Sequence, residues 1–208
     1  MVHQKVNHPI SFQREEALAT IIGLLRHGQT DWNIDMRLQG ISDIPLNDFG
    51  REQARQAAAV LRNYEWSKIL SSPLSRARET ADIVASVIGY EEVEILDALI
   101  ERSFGIAEGM TYEDWKSNYQ PGTNADGAET LEELDRRALI LLERLANEQT
   151  DLRVLTVSHG ALIRRIIHLV SLGELPREGE RFGNASMTLI EHDGAGWKIL
   201  NYDPNPLS

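Results

Sequence analysis

The sequence contains no cysteine. That absence excludes a disulfide framework, a thiol nucleophile and any zinc site that needs sulfur. It also has no long apolar run: the stretch from Ala17 to Leu25 is too short to span a bilayer. The opening segment, Met1 to Glu16, carries His3, Gln4, Lys5, Asn7, His8 and Gln13 and lacks the apolar centre of a secretory leader. Residues 1–19 are therefore read as an N-terminal tail, and the protein as cytoplasmic. Repeats and low-complexity tracts are missing, which leaves residues 20–208 as a single domain. Cations are in the minority, with a formal net charge of -11 over 208 residues. Such a chain repels nucleic acid and anionic membrane surfaces, so neither is an expected partner. An anionic small molecule would be repelled too, unless arginines gather locally to reverse the field.

Three short apolar runs end directly in turn residues. Thr20 to Leu25 runs into Arg26-His27-Gly28, Lys68 to Leu70 into Ser71-Ser72-Pro73, and Arg153 to Val157 into Ser158-His159-Gly160. Runs without alternation suit strands covered on both faces. Helical patterns lie between them. Asn47 can cap a helix through Phe49 to Asn63, and Leu74 to Ile88 carries an apolar stripe. Thr130 with Glu133 reads as a capping box opening a helix to about Asn147, and Ala161 to Val170 is an apolar helix. Met187 to Ile190 and Trp197 to Leu200 read as a final strand pair around Asp193-Gly194, and 121–127 as a loop. Strands alternating with helices predict an α/β three-layer sandwich, a mainly parallel sheet flanked by helices.

In open α/β sheets, ligands bind beyond the carboxyl ends of the strands. Here those ends carry Arg26-His27, Ser72-Pro73 with Arg76, and His159-Gly160, so two histidines and two arginines converge on one rim. Arginine suits phosphate because its planar fork donates two parallel hydrogen bonds and stays charged. A neutral imidazole is a competent nucleophile toward phosphorus near pH 7. Alone, His27 is equally a loop histidine capping a turn, Asn33 a turn residue and Arg78 a surface charge. Arg102 is a further nearby cation. The setting of His27 beside Arg26, in register with Arg76 and His159, favours chemistry.

The run Leu25-Arg26-His27-Gly28-Gln29-Thr30-Asp31-Trp32-Asn33 resembles the signature of the histidine phosphatase superfamily, which includes the cofactor-dependent phosphoglycerate mutases. The resemblance continues through Arg37-Leu38-Gln39-Gly40, Ser72-Pro73-Leu74-Ser75-Arg76-Ala77 with Thr80-Ala81, Ile100-Glu101-Arg102-Ser103-Phe104-Gly105, and Val157-Ser158-His159-Gly160. It spans about Thr20 to Leu189. It implies a phosphoglycerate mutase-like fold in which His27 is the nucleophile and becomes phosphohistidine. It also implies that Arg26, Arg76 and His159 neutralise the phosphoryl oxygens. Asn33 and the Gly160 amide would donate further hydrogen bonds, and Glu101 would be the general acid. Gln39, Gly40 and Asn184 would be substrate-side contacts, and Glu108 structural. The resemblance implies no cofactor and no metal, and a small-molecule phosphate ester as partner; a homo-oligomer is left open.

The sequence departs from the family where an aromatic residue often precedes the Glu-Gly pair; Ala107 stands there. Mutases of the family carry an extra segment with an Arg-Ser-Tyr type motif before the second histidine. The corresponding stretch, Met110 to Leu155, is short, and its cations are Lys116, Arg136, Arg137, Arg144 and Arg153. A phosphomonoesterase is therefore favoured over a mutase, and both over a non-catalytic phosphoprotein-binding or regulatory module or a metal-dependent hydrolase.

Overall fold

The computed structural model describes residues 19–120 and 122–207; the tail reading, with His3 and His8, lies outside the described residues. The first half runs β1 (Thr20–Arg26), α1 (Asp31–Ile34), α2 (Asp48–Leu61), β2 (Lys68–Ser71), α3 (Ser75–Ile88) and β3 (Glu94–Ile95). The second half runs α4 (Tyr112–Asn118), α5 (Leu131–Glu148), β4 (Arg153–Ser158), α6 (Gly160–Val170), β5 (Ser186–His192) and β6 (Trp197–Pro206). One-turn 3₁₀ helices at Asp97–Leu99 and Gly105–Ala107 flank the Glu101 segment.

The six strands form one sheet in the order β3-β2-β4-β1-β5-β6. The four strands from β3 to β1 pair in parallel; β5 is antiparallel to β1, and β6 to β5. The sheet is thus mixed, and the motif-bearing strands β1, β2 and β4 lie in its parallel part. Successive strand residues point to opposite faces. On one face Ile22, Leu24 and Val154 pack with Leu134, Leu141, Leu162 and Ile166 of α5 and α6. On the other, Leu25, Leu155 and Val157 meet α2 and α3 through Ala57, Ala58, Ala77 and Ala81. Those alanines let two helices sit close to each other and to the sheet. Two helical layers on a covered sheet give the three-layer sandwich.

The helix starts follow the polar residues seen in sequence. Asn47 accepts the Gly50 amide and opens α2, and Thr130 with Glu133 forms a complete capping box for α5. The last strand runs well past Leu200, to Pro206. Pro204 and Pro206 mask it in sequence, but β6 is the sheet edge, where a missing N–H is tolerated. No helix among the described residues is long and apolar enough to cross a membrane.

Candidate active site

The register of the two central strands builds the site. Arg26 of β1 is opposite Ser158 of β4, and the His27 amide bonds the Ser158 carbonyl at 3.0 Å. His27 and His159 therefore leave the sheet side by side, ring centroids 5.2 Å apart. Both are buried.

His27 Nδ1 lies 2.6 Å from the Gly28 carbonyl oxygen. A carbonyl only accepts, so Nδ1 carries the proton and Nε2 the lone pair. Burial holds the imidazole well below its ordinary range, and the charges of Arg76 and Arg26 push the same way. The ring is a neutral base with a free Nε2. The Gly28 amide donates to Thr80 Oγ1 at 3.0 Å, which ties the His27 loop to α3. A Cβ at Gly28 would lie 2.3 Å from the Gly50 carbonyl oxygen, so only glycine fits this approach.

Arg76 is fully buried and donates from Nη2 to the Gly40 carbonyl at 2.7 Å and from Nη1 to that of Ser42 at 2.8 Å. Its Nε reaches His159 Nδ1 at 3.2 Å. A guanidinium only donates, so His159 Nδ1 is the acceptor, and the proton sits on Nε2, 2.7 Å from Ser72 Oγ. Burial, followed by Arg76, His27 and Arg26, pushes the His159 pKa well below its ordinary value. His159 is thus an Nε2–H donor whose neutral form is favoured, and the positive charge beside it comes from the two arginines. Arg26 donates from Nη1 to the Phe182 carbonyl, and its buried Nε has no partner among the described residues. Burial lowers its pKa to about 10, still cationic at neutral pH.

Glu101 follows the first 3₁₀ turn and is buried. Its Oε1 accepts the amides of Arg102 at 2.9 Å and Leu162 at 3.0 Å, and its Oε2 that of Ala161 at 3.0 Å. The carboxylate thus caps the N-terminus of α6 from a distant segment, where the positive helix end complements it.

Asn33 Oδ1 takes three donors: the Thr30 amide, the Thr30 hydroxyl and Asn184 Nδ2 at 3.1 Å. That fixes the amide orientation and leaves Nδ2 as a donor. Asn184 Nδ2 also donates to the His27 and Gly28 carbonyls, so this residue braces the loop. Gly40 has φ +56°, and a Cβ there would meet Glu108 Oε1 at 2.0 Å. Glu108 accepts the amides of Ile41, Ser42 and Phe104, a structural role as expected. Gln39 is buried with Oε1 unpartnered among the described residues. Gly160 opens α6 against the Arg26 side chain.

Arg78 pairs with Asp82 at the surface, and Arg102 turns away to Asn124 and the Glu129 carbonyl. Sequence reasoning left Ser72, Thr80 and Phe182 without roles. Ser72 and Thr80 stood inside a quoted motif, but Phe182 acts through its carbonyl, which no side-chain pattern reveals. Among the described residues, no three histidine or acidic side chains gather as a metal-ligand set.

An imidazole with a free nitrogen, the part-buried Arg26, the buried Arg76 and a carboxylate, gathered beyond the carboxyl ends of β1, β2 and β4, define the candidate active site of an α/β enzyme. The chain belongs to the histidine phosphatase superfamily (branch 1), whose model matches residues 22–204. It is 37% identical over 186 residues to the uncharacterized phosphatase PhoE of Bacillus subtilis, covering 89% of this chain and 95% of that protein. It is 33% identical over 187 residues to the probable phosphoglycerate mutase GpmB of Photorhabdus laumondii, covering 84% and 86%. Among solved structures, a mycobacterial glucosyl-3-phosphoglycerate phosphatase with VO3 superposes with a TM-score of 0.75 at 29% identity, over 88% of this chain and 98% of that one. Phosphoserine phosphatase from Entamoeba histolytica, with 3-phosphoglyceric acid, gives 0.78 at 27%, over 88% and 96%.

Proposed function

We propose that residues 20–208 form one catalytic domain that hydrolyses phosphomonoesters of small metabolites through a covalent phosphohistidine at His27. The observation that carries this reading is the bond from His27 Nδ1 to the Gly28 carbonyl, which leaves Nε2 unprotonated inside a cationic pocket. In the first step Nε2 attacks phosphorus and the bond to the ester oxygen breaks. Glu101 gives its proton to the leaving alkoxide. Of its two oxygens, Oε2 accepts a single amide and is the one with a lone pair free to hold that proton. In the second step the Glu101 carboxylate takes a proton from water, the hydroxide attacks the phosphohistidine, and inorganic phosphate leaves with His27 neutral again.

Arg26 and Arg76 offset the charge on the phosphoryl oxygens, which is the main demand of this chemistry. Asn33 Nδ2 and the Gly160 amide add donors. Gln39 and Gly40 border the substrate side, and Asn184 keeps the loop in place. Relatives named for phosphoserine and glucosyl-3-phosphoglycerate support a small phosphorylated metabolite as substrate.

A mutase is the second reading, favoured by the relatives named phosphoglycerate mutase. Two cations of the Met110 to Leu155 stretch speak against it. Arg137 is held by Glu129, and Arg144 pairs with Glu148 at the surface, so neither is free to grip a substrate carboxylate.

Glu101→Gln tests the acid. It should slow an alkyl phosphate far more than an activated aryl phosphate, by about a hundredfold or more for the alkyl ester. An equal loss on both removes Glu101 from that role. Assaying 3-phosphoglycerate for phosphate release and for phosphoryl migration in parallel separates phosphatase from mutase.

A further inference from the structure

The segment carrying Glu101 is irregular backbone, yet a general acid has to be held to a fraction of an ångström. The α6 amides hold the carboxylate. A separate set of contacts holds the backbone, and it converges on one ion pair. Arg137 of α5 donates from Nε and Nη2 to the two oxygens of Glu129, both at 2.9 Å. Its Nη1 donates to the carbonyls of Ile100 at 2.8 Å and Ala98 at 3.2 Å, and Nη2 reaches that of Glu101 at 3.4 Å. All five N–H groups of the guanidinium are used.

Glu129 completes the arrangement. Its amide donates to the Ser103 carbonyl at 3.0 Å, and its own carbonyl accepts Arg102 Nε at 2.8 Å. The carbonyls of Ala98, Ile100, Glu101 and Ser103 are thus all bonded to residue 129 or 137. The pair is largely covered, with side-chain exposures of 23% and 17%. An exposed ion pair contributes little, but a covered, bidentate one fixes geometry. The arginine pair within α5, Arg144 with Glu148, is half-exposed and bonds no such backbone.

We propose that Arg137 and Glu129 form a bracket whose purpose is to position Glu101 for proton transfer, Arg137 being a positioning residue. The proposal rests on Glu101 being the general acid. It attributes to two residues outside the family motifs a selective effect on the proton-dependent step.

The test uses Arg137→Lys, Arg137→Met and Glu129→Gln in the full chain, with Glu101→Gln in parallel. Turnover and KM are measured on an alkyl phosphomonoester and on 4-nitrophenyl phosphate, with vanadate inhibition and Tm as checks on the pocket and the fold. The bracket predicts that kcat on the alkyl ester falls about tenfold to a hundredfold. KM, vanadate inhibition and the aryl ester should be unchanged. Lysine should not rescue, since three donors cannot replace a five-donor fork. Equal losses on both esters, losses confined to KM or vanadate inhibition, or no loss at all would overturn it. If the Arg137 variants do not fold, Glu129→Gln, which keeps its size and an acceptor oxygen, is judged by the same criterion. If Glu101→Gln shows no leaving-group dependence, the acid assignment fails and the bracket falls with it. If Glu101→Gln shows it and the others do not, the bracket alone fails.

Discussion

His27 and His159 are two imidazoles in one pocket, set in opposite tautomers by what each nitrogen faces. A carbonyl at Nδ1 makes His27 an Nε2 base, and a guanidinium at Nδ1 makes His159 an Nε2–H donor. Both are held neutral by burial and by the arginines. Nitrogen-15 NMR of the imidazoles at pH 6.5 should therefore show two neutral rings of opposite tautomer. A ring titrating near 6.5, or two identical tautomers, would contradict the geometry. The same groups set a slope in stability. Both folded-state pKa values lie below the unfolded value of about 6.5. The unfolded chain thus takes up protons first as pH falls, and stability drops below about pH 6.5. At this scale the sequence was most readable where a residue acts through its side chain inside a motif. It was least readable where a residue acts by what it is bonded to. Nothing in the string of letters distinguishes the tautomer of His159 from that of His27.

At the scale of elements, the polar punctuation was legible and the short pieces were not. Asn47, Thr130 and Glu133 announced two helix starts because capping is local chemistry. β3, with two residues, and α1, with four, carry too little pattern to be read. α4 exposes most of its length and has no apolar stripe to betray it. The cap on α5 yields a prediction of its own. Thr130→Ala leaves the Glu133 amide without its side-chain acceptor, and urea unfolding should show a loss of about 1 kcal/mol with the m-value unchanged. An unchanged midpoint would mean that the capping box adds nothing to this helix.

At the scale of the molecule, parallel register brings the ends of β1, β4 and β2 to one rim, and a protein of net charge -11 keeps Arg26 and the buried Arg76 together there. Strand–helix alternation predicts that convergence, and the parallel register of β1, β4 and β2 produces it. The support around Glu101 was beyond prediction: it joins 98–103, 129 and 137 through backbone carbonyls, and carbonyls carry no residue identity. What would unite these parts is the proposed phosphoryl group held covalently on His27. The most direct test is to quench the enzyme during turnover of a phosphorus-32 ester and follow the label on the protein. The wild type should carry an acid-labile, alkali-stable phosphoryl group on His27, and His27→Ala should carry none and show no turnover. Label retained by His27→Ala, or mapped to another residue in the wild type, would contradict the account.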